Sequence, residues 1–482
     1  MANIGVEVVT SLRSGPTNQG TPSGALHIAG LTEKGPASGA TLVRSMAEFE
    51  QVFGGRTAYA SNVYDTARLF FEEGGSQLHV SRVVGPAATA GSLALLDSAA
   101  SPAETILVEA IAPGAYSTSL TVEVVAAEDA FTVVVRSGGS IVHQWRDLQS
   151  PAELVEAAAG SKFIKVTDSG SETAAPANNP ASRAETPLGA GSDDRVAVTT
   201  EHVLAALDAA GTVAAAGGAV ALPGYSADLV GTGLLAHAKS RGKLAVLAMH
   251  KDATLAEAAE QAERLMLTGN GDAGGIFYPH LVIPDGSGTR TVSPEGYVAA
   301  VRARTHTSTG PWQPPAGDRA LTQWATGTNV PVDTALNNQL NAAHVNGIVT
   351  TGARVRLYNW SSLSVDRDNL AMLTARDTLN NLTLQVKEAL EEFTWSTADP
   401  RGQLRSKIES AVVGIVDPIA KAGGLYPRVV NGEEADPGYL VSVDDTSAIG
   451  ANELQVTVAV RLAPTVQLIK AEIIKVALAA AV

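Results

Sequence analysis

Several short motifs in the sequence combine residue types that can support binding or catalysis. Gly269, Gly271 and Gly274 have the spacing of the G-x-G-x-x-G loop that cradles the pyrophosphate of a dinucleotide. That loop binds pyrophosphate only where it follows a strand and opens a helix. Here it follows a predicted helix, residues 255–267, and precedes a predicted strand, residues 276–283. The order of elements therefore predicts a glycine-rich connection and disfavours a nucleotide site.

The other chemistry-bearing residues form no recognisable constellation. His237 and His250 flank a predicted strand without a clustered carboxylate, and the pair Asp366 and Asp368 is more typical of a turn or helix cap than of a metal site. Ser287 lies between two glycines but lacks the G-x-S-x-G spacing of a nucleophile elbow. We therefore predict no catalytic residue, no cofactor, no metal ligand and no enzymatic activity.

Composition excludes further classes of function. The chain has 482 residues, of which 45% are apolar and 17% charged, so it has enough apolar material for roughly three folded units. It contains no cysteine, which excludes disulfides and thiolate metal sites. The net charge of −15 disfavours nucleic-acid binding, because an acidic chain repels phosphates. No secretory signal and no membrane span are predicted, so we expect a soluble protein made in the cytosol.

Strands and helices alternate over much of the chain and must position any site. Residues 25–30 and 77–84 are predicted strands, Ser45 and Glu48 form a capping box at a helix start, and residues 62–73 form a second helix. The alternation resumes between residues 196 and 305 with nearly continuous apolar strands. This pattern predicts the α/β class with a mostly parallel sheet covered on both faces.

The stretch between these two halves has a different character. Short β-branched runs at residues 105–112, 120–126, 131–136 and 162–167 are punctuated by glycine and proline, which predicts an antiparallel domain inserted into the α/β core. Residues 168–194 are rich in small and polar residues and are predicted to form a mobile loop.

Both ends of the chain carry an alternating apolar pattern. Ile4, Val6 and Val8 predict a strand, and residues 11–23 form a breaker-rich tether behind it. Such a strand either folds back or pairs with the sheet edge of another chain. Near the other end, Ile474, Val476 and Leu478 fit a strand, although residues 469–480 fit a helix about equally well.

The order of several landmarks resembles the contractile tail sheath proteins of bacteriophages and of phage-tail-like injection systems. Those proteins share glycine turns after the first strand and helices, an Arg-Thr-Val block with a following Ala-Arg-Thr, and a late Ala-Pro. The matching positions in this chain are Gly30, Gly35, Pro36, Phe53, Gly54, Gly55, Gly74, Gly75, Arg82, Pro113, Gly114, Arg290, Thr291, Val292, Ala303, Arg304, Thr305, Trp312, Ala463 and Pro464.

The resemblance implies a multidomain fold with a C-terminal α+β domain whose sheet is completed by the terminal arms of neighbouring subunits. The predicted units are an N-terminal extended arm (1–20), the first part of the α/β core (21–85), an inserted β-sandwich-like domain (86–195), the second part of the core (196–330), a C-terminal sheath domain (331–462) and a C-terminal arm (463–482).

The resemblance also implies a structural function in a virion tail assembled in the host bacterial cytoplasm. Six copies would form a ring around an inner tail tube, and stacked rings would contract from a metastable extended state. The arm residues Ile4, Val6, Val8, Ile474, Val476 and Leu478 would link subunits. Arg401, Arg405 and Lys407 are candidates to face the tube, unless they form only a solvated basic turn. Further partners would be baseplate and tail terminator proteins, without nucleic-acid contact or membrane insertion.

Two alternatives remain open from the sequence alone. The sheath could belong to a phage-derived bacteriocin or injection system instead of an infectious virion. A less favoured alternative is an α/β enzyme with an inserted lid, which the tethered terminal strand and the reversed glycine motif oppose.

Overall fold

The computed structural model describes residues 23–210, 217–352, 354–397, 401–444, 446 and 452–467. Within these ranges helices and strands alternate over most of the chain. The helices, numbered in chain order, are α1 (Met46–Phe53), α2 (Ser61–Glu72), α3 (Pro151–Ala158), α4 (Thr200–Ala209), α5 (Ala227–Ser240), α6 (Leu255–Met266), α7 (Glu295–Ser308), α8 (Thr334–Ala342), α9 (Leu373–Glu391) and α10 (Gln403–Lys421).

An eight-stranded sheet forms the centre of the core. Its six inner strands are parallel, and an antiparallel strand closes each edge. From edge to edge, and numbered in chain order, the strands are β18 (Arg354–Leu357), β17 (Val345–Thr351), β13 (Gly274–Tyr278), β12 (Leu244–Ala248), β11 (Ala219–Ala221), β1 (Leu26–Gly30), β3 (Leu78–Arg82) and β2 (Thr41–Val43).

Helices bury both faces of this sheet, which explains the continuous apolar strands in the sequence. One face packs against α1, α2 and α7, and the other packs against α4, α5, α6 and α8. Helix α1 begins at Ser45, whose hydroxyl accepts a hydrogen bond from the Glu48 amide, and ends at Gly54 in the left-handed region. The predicted mostly parallel α/β core is confirmed.

Two local predictions are wrong. The run at residues 276–283 is not one strand, because it divides at Pro279, which has no amide hydrogen to donate to a ladder. Strand β13 stays in the core sheet, whereas β14 (Leu281–Asp285) pairs with β15 (Gly288–Val292) and β16 (Gly327–Thr328) in a separate small sheet. The predicted loop at 168–194 contains a strand, β10 (Arg183–Pro187), which pairs with β6 (Leu120–Ala126) of the inserted domain.

The inserted domain is antiparallel, as predicted, and has its own apolar core. Its first sheet contains β4 (Ser92–Leu96), β5 (Glu104–Ala110) and β9 (Ile164–Asp168). Its second sheet contains β10 (Arg183–Pro187), β6 (Leu120–Ala126), β7 (Phe131–Ser137) and β8 (Ser140–Leu148). Helix α3 closes one side of the core with Leu154.

The core sheet continues beyond residue 330, since β17 and β18 both belong to it. After β18 the chain enters a separate, smaller unit of α9, α10 and short strands. The strands are β19 (Arg428–Val430) paired with β20 (Glu433–Asp436), and β21 (Tyr439–Asp444) paired with β22 (Gln455–Val460). This unit has a small apolar core of its own, so the architecture is a multidomain α/β fold as predicted.

Candidate assembly surface

The small sheet of β21 and β22 packs on the helix pair α9 and α10. It covers α10 well and leaves much of α9 uncovered. Strand β21 alternates strictly, and its inward residues Val441 and Val443 are buried. They contact α10, whose apolar face presents Val412 and Val416. Helix α9 lies beside α10 and contacts it.

Strand β22 alternates in the same way, but its inward side chains are less deeply buried than those of β21. Its inward residues Val456, Val458 and Val460 remain half-buried. Among the described residues, no strand pairs with the outer edge of β22, since its ladder runs to β21 alone. The strand therefore presents an apolar row beside a line of unpaired backbone groups, which is a template for adding another strand.

A groove of about 500 Å³ separates this edge from α9. The helix side of the groove is apolar because Leu379, Leu382, Val386 and Leu390 follow the three- and four-residue spacing of one helix face. An adjoining depression of about 750 Å³ shares Leu379 and Val460 with the groove and continues along the strand to Leu462. We define the strand-addition groove as the apolar channel between α9 and β22.

A basic cluster marks the far end of the helix pair. Arg401, Arg405 and Lys407 are all exposed at the start of α10, whose first residues follow Gly402 in the left-handed region. Of these three, Arg405 lies in the first turn of α10, where a cation opposes the helix dipole, and the carboxylate of Asp444 partly offsets that cost. In the preceding turn the side chain of Trp395 is 100% exposed. The tip therefore combines positive charge with a large apolar side chain.

The predicted arm residues lie outside the described part of the chain. Ile4, Val6 and Val8 precede residue 23, and Ile474, Val476 and Leu478 follow residue 467. Their part in subunit linkage stays a prediction.

A buried ion pair that the sequence did not reveal joins the core to the small unit. Arg302 of α7 donates to Asp377 of α9 through Nε and Nη2, at 3.0 and 2.7 Å from Oδ1. Burial alone would raise the pKa of Asp377, but Arg302 and His306 together outweigh burial and hold this pKa below its ordinary value. The Nε2 atom of His306 lies 3.5 Å from Asp377, and burial together with Arg302 lowers the pKa of His306. The spacing of these residues along the chain gave no signal for the cluster.

The motifs considered for catalysis occupy structural positions. The glycine motif lies between α6 and β13, so its predicted reversed order is confirmed. Asp366 accepts hydrogen bonds from the backbone and side chain of Asn369 in a turn. His237 does have a carboxylate partner, Asp208, at 2.7 Å, which the sequence analysis missed because the two residues lie on neighbouring helices.

The described ranges of the chain contain neither a metal-binding cluster nor a membrane-spanning helix. Within these ranges, no group of three or more histidine and carboxylate side chains is arranged to hold a metal ion. Over the same residues, none of the helices combines the length and the apolar character that crossing a membrane requires.

Comparison with known proteins identifies the fold. No protein-family model matches the sequence, and no curated protein matches it either. The sheath tail protein of Listeria innocua superposes with a TM-score of 0.64 at 13% identity, covering 91% of this chain and 95% of that one. The sheath tail protein of Desulfitobacterium hafniense gives 0.58 at 14% identity, covering 94% and 99%. A subunit of the sheath complex of an extracellular contractile injection system, in its contracted state, gives 0.56 at 12% identity, covering 98% and 97%. These matches span nearly the whole of each chain, and they confirm the predicted resemblance at the level of architecture: the chain has the fold of the sheath tail proteins.

Proposed function

We propose that this protein is the structural subunit of a contractile sheath and performs no catalytic step. The observation that carries the proposal is the match of fold over more than nine-tenths of the chain to sheath tail proteins. Copies would form hexameric rings that stack helically around an inner tube. The tube, the baseplate and a tail terminator would be its partners in a virion tail.

The strand-addition groove supports a specific mode of assembly. Packed helices lie about 8–10 Å apart, and neighbouring strands lie about 4.8 Å apart. The pair β21 and β22 therefore spans about one helix and covers α10, leaving α9 with room for about two more strands. Two incoming strands would complete a four-stranded sheet over both helices.

The terminal segments have the pattern that such strands need. In a strand, Ile4, Val6 and Val8 would place their side chains on one face, and Ile474, Val476 and Leu478 would do the same. One segment from each of two neighbouring copies would add to the edge of β22 and cover its half-buried valines. Backbone hydrogen bonds would supply affinity, and the alternate apolar side chains would fix the register.

Contraction would draw its energy from surface buried between copies. Burying about 80 Å² more apolar surface per copy releases about 2 kcal/mol, which amounts to about 200 kcal/mol over about 100 copies. A trigger from the baseplate would release the metastable extended state, and the arms would keep the copies linked while they move.

The basic cluster is the proposed contact with the inner tube. Arg401, Arg405 and Lys407 are exposed at the start of α10, and an acidic surface on the tube would attract them. Trp395, which is exposed in the turn after α9, would add apolar contact area to such an interface.

Electron microscopy of negatively stained samples tests the proposal. The full-length chain is expected to form rings or hollow tubes, and a variant lacking residues 1–20 is expected to lose them while keeping a folded monomer by circular dichroism. Dispersed monomers from the full-length chain at high concentration would contradict the proposal.

A further inference from the structure

A second groove lies at the point where the described chain begins, apart from the strand-addition groove. It has a volume of about 390 Å³ and lies between the end of α7, the middle of α9 and the outer face of α10. Its lining includes Ser23, Thr309, Trp312, Gln385, Gly414 and Pro418. We call it the root groove.

The chain leaves the core into this groove at a fixed point. Arg302 donates a hydrogen bond from Nη1 to the carbonyl oxygen of Ser23. The guanidinium cannot swing away, because Asp377 holds its other two donors in a buried bidentate pair. The contact with Arg302 therefore orients the backbone at Ser23 at the junction between α7 and α9. Because Ser23 itself lines the groove, the 22 preceding residues are attached to the chain at the groove.

One residue of the groove wall points to an occupant. Gly414 lies in the interior of α10 and is exposed, and a Cβ atom added there would meet nothing within 4 Å among the described residues. An interior glycine makes a helix less stable than alanine does, so packing within the described structure gives no reason for it. A missing side chain is useful where another backbone approaches closely.

We infer that residues 16–22 of the same copy lie in the root groove across α10, passing over Gly414. The segment holds Pro16, Gly20 and Pro22 among small polar residues, which suits an extended path over a mixed polar and apolar wall. Seven residues extend over about 23 Å, which exceeds the 10–12 Å diameter of a helix. The groove thereby sets the direction in which residues 1–15 leave the molecule.

This inference concerns a single copy and does not depend on sheath assembly. It is tested in dilute, dispersed protein, so its failure and the failure of the proposed function are distinguishable. The absence of cysteine from the chain means that engineered pairs report without background.

The test is disulfide trapping with the double variant Gly20→Cys and Gly414→Cys. The matched control combines Gly20→Cys with Lys407→Cys, an exposed position two turns earlier on α10 that does not line the groove. Under mild oxidation the groove pair is expected to close an intrachain disulfide at least tenfold faster than the control pair, read on a non-reducing gel. Equal rates for the two pairs would overturn the inference, because a docked segment holds Gly20 beside Gly414 and two turns away from Lys407. Intermolecular dimers from the groove pair would also overturn it, since the occupant would then be another copy.

A stability measurement that uses no cross-link provides a second test. Gly414→Gln is expected to lower the melting temperature of the full-length chain, because the side chain displaces the docked segment. The same substitution is expected to raise the melting temperature of the variant lacking residues 1–20, where only helix propensity remains. An equal rise in both proteins would show that nothing lies over Gly414.

Discussion

Asp377 is the buried residue on which the junction between the core and the small C-terminal unit depends most. Replacing it with asparagine leaves the charge of Arg302 buried without its partner. Removing one member of a buried ion pair costs about 3–5 kcal/mol. We therefore expect Asp377→Asn to lower the free energy of unfolding by about that amount in urea denaturation.

The control for this substitution is an exposed ion pair of the same chemistry. Glu260 and Arg264 lie one turn apart on α6 with both side chains exposed. An exposed pair of this kind contributes about 0.3–0.5 kcal/mol, so Glu260→Gln should change stability little. Equal losses from the two substitutions would contradict the role given to Asp377.

Asp97 is expected to make stability depend on pH in the acid range. It accepts hydrogen bonds from the hydroxyls of Ser171 and Thr173 and from the backbone at Ala103, and these lower its pKa to about 2. Because the pKa is lower in the folded protein than in the unfolded chain, the stabilising contribution is present above about pH 4 and is lost as the pH falls through 2.

Thermal unfolding of wild type and Asp97→Asn between pH 2 and pH 5 measures this contribution. The difference in melting temperature should be largest near pH 5 and should shrink toward pH 2. A difference that stays constant over this range would show that the carboxylate does not titrate as proposed.

For individual residues, the sequence predicts helix N-caps well and predicts buried clusters of charged side chains poorly. The spacing of Ser45 and Glu48 predicts a capping box, and the structure confirms Ser45 as the N-cap. The Glu48 carboxylate accepts its hydrogen bond from the Arg44 amide, so the reciprocal bond of the box is absent from α1. The pairing of Arg302 with Asp377 joins positions 75 residues apart, and nothing in a single sequence marks such a contact.

Among the elements, β22 should decide whether copies assemble. Val458 points into the strand-addition groove, and Thr457 points to the opposite, exposed face of the same strand. A carboxylate at position 458 would be buried without a partner under any added strand. Val458→Asp is therefore expected to abolish assembly, measured by sedimentation of rings or tubes, while the monomer stays folded.

Thr457→Asp is the matched control, because it places the same charge on the same strand away from the groove. It should assemble like wild type. Assembly of Val458→Asp, or loss of assembly in both variants, would contradict strand addition at this groove.

The start of α10 gives a prediction with separate readouts for stability and for binding. Replacing Arg405 and Lys407 with glutamate should change stability little. The helix dipole favours a negative charge at position 405 by about 0.3–1 kcal/mol, but Asp444 repels that charge and position 407 lies beyond the first turn. The same change should remove binding to the inner tube protein in a pull-down assay.

Ser406→Glu is the control for the basic cluster, since it adds a favourable charge between the two cations and removes neither. It should gain stability and keep most of the binding. Retained binding in the Arg405→Glu, Lys407→Glu double variant would exclude the cluster as the tube contact.

Element boundaries were predictable where the signal is local. Helices α2 and α6 fall close to their predicted ranges, residues 62–73 and 255–267, because apolar spacing and glycine stops mark them. The run at 276–283 misled the prediction, since its apolar residues belong to two sheets separated at Pro279. Strand β10 was missed because its residues carry little apolar character and depend on β6 for pairing.

At the scale of the whole molecule, the order of the elements carried more information than any single motif. The α/β core and the antiparallel insertion were predictable from changes in periodicity along the chain. The core sheet also includes β17 and β18, beyond residue 330. That extension could not be predicted, because membership of a sheet depends on contacts between residues distant in sequence. The open edge of β22 could not be predicted for the same reason. Alternation in a sequence predicts a strand but does not predict which strands pair with it.

We propose that strands from other copies fill the strand-addition groove between α9 and β22. Helical reconstruction by electron cryomicroscopy of tubes formed by the purified full-length chain tests it most directly. We predict two additional strands along the edge of β22, continuous with the terminal segments of neighbouring copies, over the apolar face of α9. An empty groove, or a groove filled by residues of the same copy, would contradict strand addition by neighbouring copies.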